Sequence, residues 1–121
     1  MTLDKVYESL GGDYNEVLSR LKSESLIKRL IKMFPEDTSY NTFCIALKQN
    51  NIKKAFVAVH SLVGVCKTLG YAKLEQSASA VTEALRGGTD DELTDRMLSA
   101  IGSDYEFAVF ISRNFAETNN L

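Results

Sequence analysis

Apolar residues recur along this chain at the three- and four-residue spacing of amphipathic helices, and no stretch alternates with the two-residue period of a strand. The pattern therefore predicts an all-α protein. In the N-terminal part it predicts a short helix from about Leu3 to Leu10 and a second helix after Asp13, with a break near Ser23. Pro35, the only proline, ends this region because proline cannot continue a helix.

Four longer helices are predicted after Pro35. Their apolar stripes and end signals place them at about Tyr40–Leu47, Ile52–Gly70, Leu74–Leu85 and from a Thr89–Glu92 capping box to about Phe115. Because the connections are short, neighbouring helices should run antiparallel. We predict one domain over residues 1–121, an up-down antiparallel four-helix bundle with short N-terminal helices packed across one end. Its core should span about residues 37–116.

Composition narrows the classes of function. With 45% hydrophobic and 25% charged residues, the chain has the balance of an ordinary soluble globular protein. Its net charge of -2 offers no basic excess for a phosphate backbone, so we expect no nucleic-acid partner. No apolar run approaches the roughly 20 residues of a membrane span, and Asp4 and Glu8 interrupt any signal-peptide pattern. We expect a cytoplasmic protein without a membrane partner.

Metal, nucleotide and hydrolase chemistry have no support in the sequence. There is one histidine, His60, and no CxxC pair, so no zinc-type cluster is expected, nor any cofactor of the chain itself. Cys44 and Cys66 fall on apolar helical faces and are expected to pack as small hydrophobic residues. Ser61 follows His60 but points about 100° away on a helix, which argues against a Ser–His pair.

His60 lies in the middle of the strongest predicted helix, about 80° from the centre of its apolar face. This position predicts an exposed imidazole, a group that changes charge near neutral pH and can act as a nucleophile. Lys53 and Lys67 share its stripe, two turns before and two turns after. Gly64 lies one turn after it.

Gly64 is unexpected inside a helix, where glycine costs about 1 kcal/mol relative to alanine. Two explanations are open. A bare backbone beside an exposed histidine lets another protein approach closely, or the glycine makes room for a neighbouring helix of the same chain.

The residues around His60 resemble the signature of histidine-containing phosphotransfer (HPt) domains. The similarity lies in His60-Ser61-Leu62-Val63-Gly64, followed by Leu69-Gly70 and Leu74. It extends upstream to Leu10-Gly11-Gly12-Asp13 and to the helix end Ala46–Asn51, and so covers nearly the whole chain. An HPt domain is a helical bundle, and the apolar pattern of this chain independently predicts the same architecture.

The resemblance implies a phosphorelay carrier without kinase activity of its own. His60 would accept a phosphoryl group through Nε2 from an aspartyl phosphate of a response-regulator receiver domain and pass it to another receiver aspartate. A histidine kinase would supply the phosphate, and Mg²⁺ is expected on the receiver. Lys67 and Lys53 are the candidates for neutralising the phosphoryl charge. A monomer is expected, because the apolar face of the histidine helix is already used by the bundle.

The expected receiver-docking face surrounds His60 and consists of Phe56, Val57, Val63 and Gly64. For Phe56 and Val63, packing in the core is the alternative explanation.

Two other functions stay open. The family usually carries lysine three residues after the histidine, where this chain has Val63. This departure favours a phosphotransfer-incompetent module that docks receiver or kinase domains. A general helical assembly domain, in which His60 is incidental, is the third reading.

Overall fold

The computed structural model describes all residues from Met1 to Leu121, and every regular element in it is helical, which confirms the predicted all-α class. No helix combines the length and the apolar character that crossing a bilayer requires. A 3₁₀ turn over Phe34–Glu36, with Pro35 inside it, joins α3 to α4. The seven α-helices are α1 (Leu3–Ser9), α2 (Tyr14–Leu21), α3 (Glu24–Met33), α4 (Ser39–Lys48), α5 (Ile52–Leu69), α6 (Ala72–Leu85) and α7 (Asp95–Thr118).

Side-chain caps and left-handed residues set most helix ends where the sequence predicts them. The Asp13 carboxylate accepts the backbone N–H groups of Asn15 and Glu16 at the start of α2. The Ser23 hydroxyl accepts from Leu26 at the start of α3, so the predicted break near Ser23 is confirmed. Gly70, at φ 79°, ends α5 in the left-handed conformation that glycine adopts at little cost.

The last helix begins later than predicted. Its N-cap is Thr94, whose hydroxyl accepts the N–H of Met97, and Thr89 instead accepts from Asp91 within a turn. The Thr89–Glu92 pattern was misleading because capping chemistry alone buries no apolar surface. The residues that follow Thr89 are exposed acids, whereas the apolar stripe of α7 starts only at Met97.

The long helices pack in sequence, with α4 against α5, α5 against α6, and α6 against α7. Helix α3 contacts both α5 and α7, and α1 contacts α7. One continuous apolar core runs from Leu3 to Phe115 and includes Val17, Ile27 and Ile31 of the N-terminal helices. The core therefore extends beyond residues 37–116, because α1 to α3 have buried faces of their own.

The turn between α1 and α2 lies directly against the turn between α5 and α6. Tyr7 donates its hydroxyl hydrogen to the carbonyl of Leu69 at 2.7 Å, and the Lys73 N–H donates to the carbonyl of Leu10 at 3.1 Å. A Cβ atom on Gly12 would collide with the carbonyl oxygen of Gly70. Glycine is therefore required at this position for close backbone approach. The contact holds the turn that joins α5 to α6 against the turn that joins α1 to α2.

We expect Gly12→Ala to lower the free energy of unfolding by about 2 kcal/mol, because the added methyl group forces two well-packed turns apart. Urea unfolding followed by circular dichroism measures the loss. Gly87→Ala is the matched control, since a Cβ there meets nothing within 4 Å. Equal stability of the two variants would contradict the close contact.

A second prediction concerns alkaline pH. Burial raises the pKa of the Cys66 thiol to about 12, whereas the thiol of an unfolded chain ionises near pH 8.5, about its reference value. Between these values the unfolded chain binds fewer protons than the folded one, so the free energy of unfolding falls as pH rises. This one group contributes about 1.4 kcal/mol per pH unit. Urea unfolding at pH 8, 9 and 10 should show the fall, and Cys66→Ala should show a shallower one. Identical slopes would rule out the thiol as a source.

Candidate functional site

His60 lies on the exposed side of α5, as the helical wheel predicts. The opposite side of the same helix is anchored in the core by Ala55, Ala58, Val59, Leu62, Val63, Cys66 and Leu69. Asn51 caps the start of α5 by accepting the N–H of Lys54, and Gly70 ends it. The imidazole is therefore presented to solvent from a rigid, 18-residue helix that is held at both ends.

The aromatic ring of Phe56, one turn before His60, lies beside the imidazole. The two rings lie 5.8 Å apart between centroids and are inclined by only 11°. Phe56 is half-buried and also packs against the core, and this packing restrains its position. Both functions proposed for Phe56 on sequence grounds, core packing and a place on the histidine face, thus apply to the same side chain.

Arg86 and Glu83 of the α6 end also belong to this site, although no motif in the sequence indicates either residue. The guanidinium carbon of Arg86 lies 5.3 Å from the centroid of the Phe56 ring, the same ring that lies beside His60. Arg86 is held by Glu83, to which Nε and Nη2 donate at 3.0 and 2.8 Å. The hydrogen bond and charge of Arg86 lower the pKa of the Glu83 carboxyl, and the charge of a protonated His60 lowers it further.

The signal that could have located Arg86 is the register of the α5–α6 hairpin. The chain reverses at Gly70 and Tyr71, and Phe56 and Arg86 are equally far from Tyr71 along the sequence. Residues at equal distances from the turn of an antiparallel helix pair come opposite each other. The basic residue that contacts the histidine face therefore comes from the neighbouring helix end and not from α5.

Lys53 and Lys67 lie on either side of His60 along α5, and both are exposed. Each is two turns away from His60, about 10 Å along the helix axis. Neither lysine forms a salt bridge, and their ammonium groups make no hydrogen bond within the chain. Both remain candidates for charge neutralisation through their flexible stems, without a contact that orients them.

Gly64 has no neighbour that requires a glycine. A Cβ atom at this position would meet nothing within 4 Å, and the backbone there is ordinary α-helix. The explanation that Gly64 makes room for another helix of this chain is therefore wrong. The roughly 1 kcal/mol that glycine costs inside a helix is not offset by any contact within the chain.

Val57 and Val63, both predicted to lie on the docking face, occupy different environments. Val57 is 58% exposed and, with Ser61 and Thr42, lines a shallow groove between α5 and α4. Val63 is only 6% exposed and belongs to the core. The prediction that Val63 contributes to a docking face is therefore corrected. Its position on the helix places it on the buried side of α5, where a branched apolar side chain packs in the core.

Around His60, the exposed side of α5 thus combines apolar and charged groups. The Val57 groove adjoins it on the α4 side, and the Phe56 ring with Arg86 adjoins it on the α6 side. No group of three or more histidine, cysteine, aspartate or glutamate side chains is placed to hold a metal ion.

No model of a protein family, no curated protein and no solved structure matches this chain.

Proposed function

We propose that this protein is a phosphorelay carrier of the HPt type, which receives a phosphoryl group on His60 from a receiver-domain aspartyl phosphate and passes it to another receiver aspartate. One observation carries the proposal. An exposed imidazole stands beside a glycine that no contact within the chain explains. A helix surface without a side chain next to the nucleophile lets a receiver domain bring its aspartyl phosphate within bonding distance of His60.

The helix packing supports a four-helix bundle for this function. In the proposed bundle, α3 and α4 together form the first element, kinked at Pro35, and α5, α6 and α7 form the other three. Contacts of α3 with α7 and α5, and of α4 with α5, agree with this arrangement. The proposed bundle thus begins before Pro35, whereas the apolar pattern suggested that it begins after it. The shorter α1 and α2 then lie across one end, against the α5–α6 turn.

The chemistry assigned to this chain is simple. Nε2 of a neutral His60 attacks the phosphorus with its lone pair, and the new N–P bond forms as the P–O bond to the aspartate breaks. The electron pair of that bond leaves with the carboxylate, and Nδ1 keeps its hydrogen. Phosphoryl transfer depends mainly on positioning and on neutralising charge. The receiver and its Mg²⁺ supply most of the charge neutralisation, and this chain supplies the nucleophile and an accessible surface.

The receiver would dock on Gly64, Val57 and the edge of Phe56. Apolar contact at Val57 and Phe56 gives affinity, while Lys53 and Lys67 steer an acidic receiver pocket toward the imidazole. A cytoplasmic monomer that meets receiver and histidine kinase in turn fits this arrangement.

A phosphotransfer-incompetent docking module is the second candidate, and one observation favours it. The position three residues after His60 carries a buried valine where the HPt family usually has a lysine. Without that charge the same surface would bind receivers or kinases but would leave the phosphoryl group on the donor.

Receiver domains charged with acetyl phosphate separate the candidates. The protein is mixed with several charged receivers, and Phos-tag electrophoresis follows the phosphoryl group. Label on this chain, and its passage to a second, uncharged receiver, supports the carrier. Receiver binding that survives His60→Gln, with no label on the wild type, supports the docking module. Neither binding nor label would leave only a helical assembly domain.

A further inference from the structure

A phosphoryl group on His60 would bring nearly two negative charges to the exposed side of α5. Those charges require a cation that can reach them. Arg86 is the residue whose cation contacts the aromatic ring adjacent to the imidazole.

We propose that Arg86 binds the phosphoryl group on His60, and that Glu83 is the positioning residue that holds Arg86 until that group arrives. The inference rests on the proposed phosphoryl transfer, which it deepens by assigning the charge-neutralising role to a residue outside α5.

The first support is placement. Arg86 follows the last residue of α6, and its guanidinium lies over the Phe56 ring at 5.3 Å from the centroid. The same ring is stacked on His60, with centroids 5.8 Å apart. The cation and the nucleophile therefore lie beside the same aromatic side chain. A flat ring also offers the guanidinium a surface along which it can move while it keeps its cation–π contact.

The second support is the nature of the partner that holds Arg86. Glu83 accepts two hydrogen bonds from the guanidinium, and both side chains are more than half exposed. An ion pair with both ends in water is weak, because each group exchanges protein contacts for hydration at little cost. A phosphoryl group carries more charge than a carboxylate and accepts the same two-pronged contact from arginine. The guanidinium is therefore expected to exchange Glu83 for the phosphoryl group.

The third support is the position of Glu83 itself. The charge of a protonated His60 lowers the pKa of the Glu83 carboxyl, so this carboxylate lies within the electrostatic range of the imidazole. Glu83 therefore holds the Arg86 guanidinium on the side of α6 that faces the imidazole, and its effect on a phosphoryl group there acts through Arg86.

Phosphoramidate, a small phosphoryl donor that needs no docking surface, tests the assignment. The P–N bond of the donor breaks and ammonia leaves as the bond to Nε2 forms. Initial rates of His60 phosphorylation are measured by Phos-tag electrophoresis for the wild type, Arg86→Gln, Arg86→Lys, Glu83→Gln and the double variant Glu83→Gln/Arg86→Gln. Because both residues are exposed, these variants should fold as the wild type does, which circular dichroism checks.

Arg86→Gln should lower the rate about tenfold, and Arg86→Lys, which keeps the charge but not the two-pronged contact, should recover part of the loss. Glu83→Gln should raise the rate about threefold while Arg86 is present and leave it unchanged in the Arg86→Gln background, since Glu83 acts through Arg86. Arg113→Gln on α7 is the matched control for loss of an exposed arginine and should have the wild-type rate.

The outcomes separate the two proposals. A labelled wild type whose rate is unaffected by Arg86→Gln overturns the role of Arg86 and leaves the carrier function intact. The same effect of Glu83→Gln in both backgrounds overturns the positioning role of Glu83. A wild type that takes label neither from phosphoramidate nor from charged receivers overturns the carrier function and this inference with it.

Discussion

His60→Gln is expected to reduce phosphoryl uptake from charged receivers to background while the fold stays intact. His60 is the only histidine, and the amide of glutamine has no nucleophilic lone pair comparable to that of imidazole. Because the side chain is exposed, the free energy of unfolding should change by no more than about 0.5 kcal/mol. Phos-tag electrophoresis and urea unfolding measure the two quantities on the same preparation.

Ser61→Ala is the matched control for that experiment, since Ser61 is the exposed neighbour of His60 on α5. It should keep both label and stability. Label that persists in His60→Gln would place the acceptor elsewhere on the chain and would refute the proposed role of His60.

Gly64→Gln is expected to separate stability from function in the opposite direction. Glutamine is a good helix former and its Cβ meets nothing within 4 Å, so the variant should unfold with a free energy about 0.5–1 kcal/mol higher than the wild type. Transfer from charged receivers should nevertheless slow at least tenfold, roughly 1.4 kcal/mol or more of activation free energy, because the longer side chain occupies the approach to His60.

Phosphoramidate provides the internal control for Gly64→Gln, because this donor is small enough to reach the imidazole beside a glutamine. Labelling by phosphoramidate should stay near the wild-type rate while transfer from receivers falls. If both rates fall together, Gly64 affects the imidazole itself and not docking. Unchanged transfer from receivers would remove Gly64 from the docking surface.

The helices could be predicted from the sequence because their ends are decided locally. Gly70 is left-handed, and the side chains of Ser23 and Asp13 accept backbone N–H groups of the next turn. Such contacts span only a few residues. The predicted start of α7 was wrong because Thr89 and Thr94 both satisfy the same local capping rule. The choice between them depends on where Met97 packs against the core, which is not a local property.

The candidate site could be predicted only as far as a single helix defines it. The exposure of His60 and Gly64 follows from the periodicity of α5 alone. Whether Val63 is buried and whether Arg86 reaches Phe56 depend on how the neighbouring helices pack against α5 and in which register. The periodicity of α5 alone does not determine either. Charged neighbours on the same stripe, Lys53 and Lys67, were therefore easier to find than the arginine that makes the contact.

The chemical stability of the phosphate is the most direct test of a phosphohistidine carrier. The purified protein is incubated with acetyl-phosphate-charged receivers, isolated, and divided between acid and alkali before the retained phosphate is counted. The proposed function predicts a phosphate that is lost in acid and kept in alkali, at up to one per chain and absent from His60→Gln. A phosphate that survives acid, one that is lost in alkali, or no phosphate from any receiver that labels a known HPt domain would contradict it.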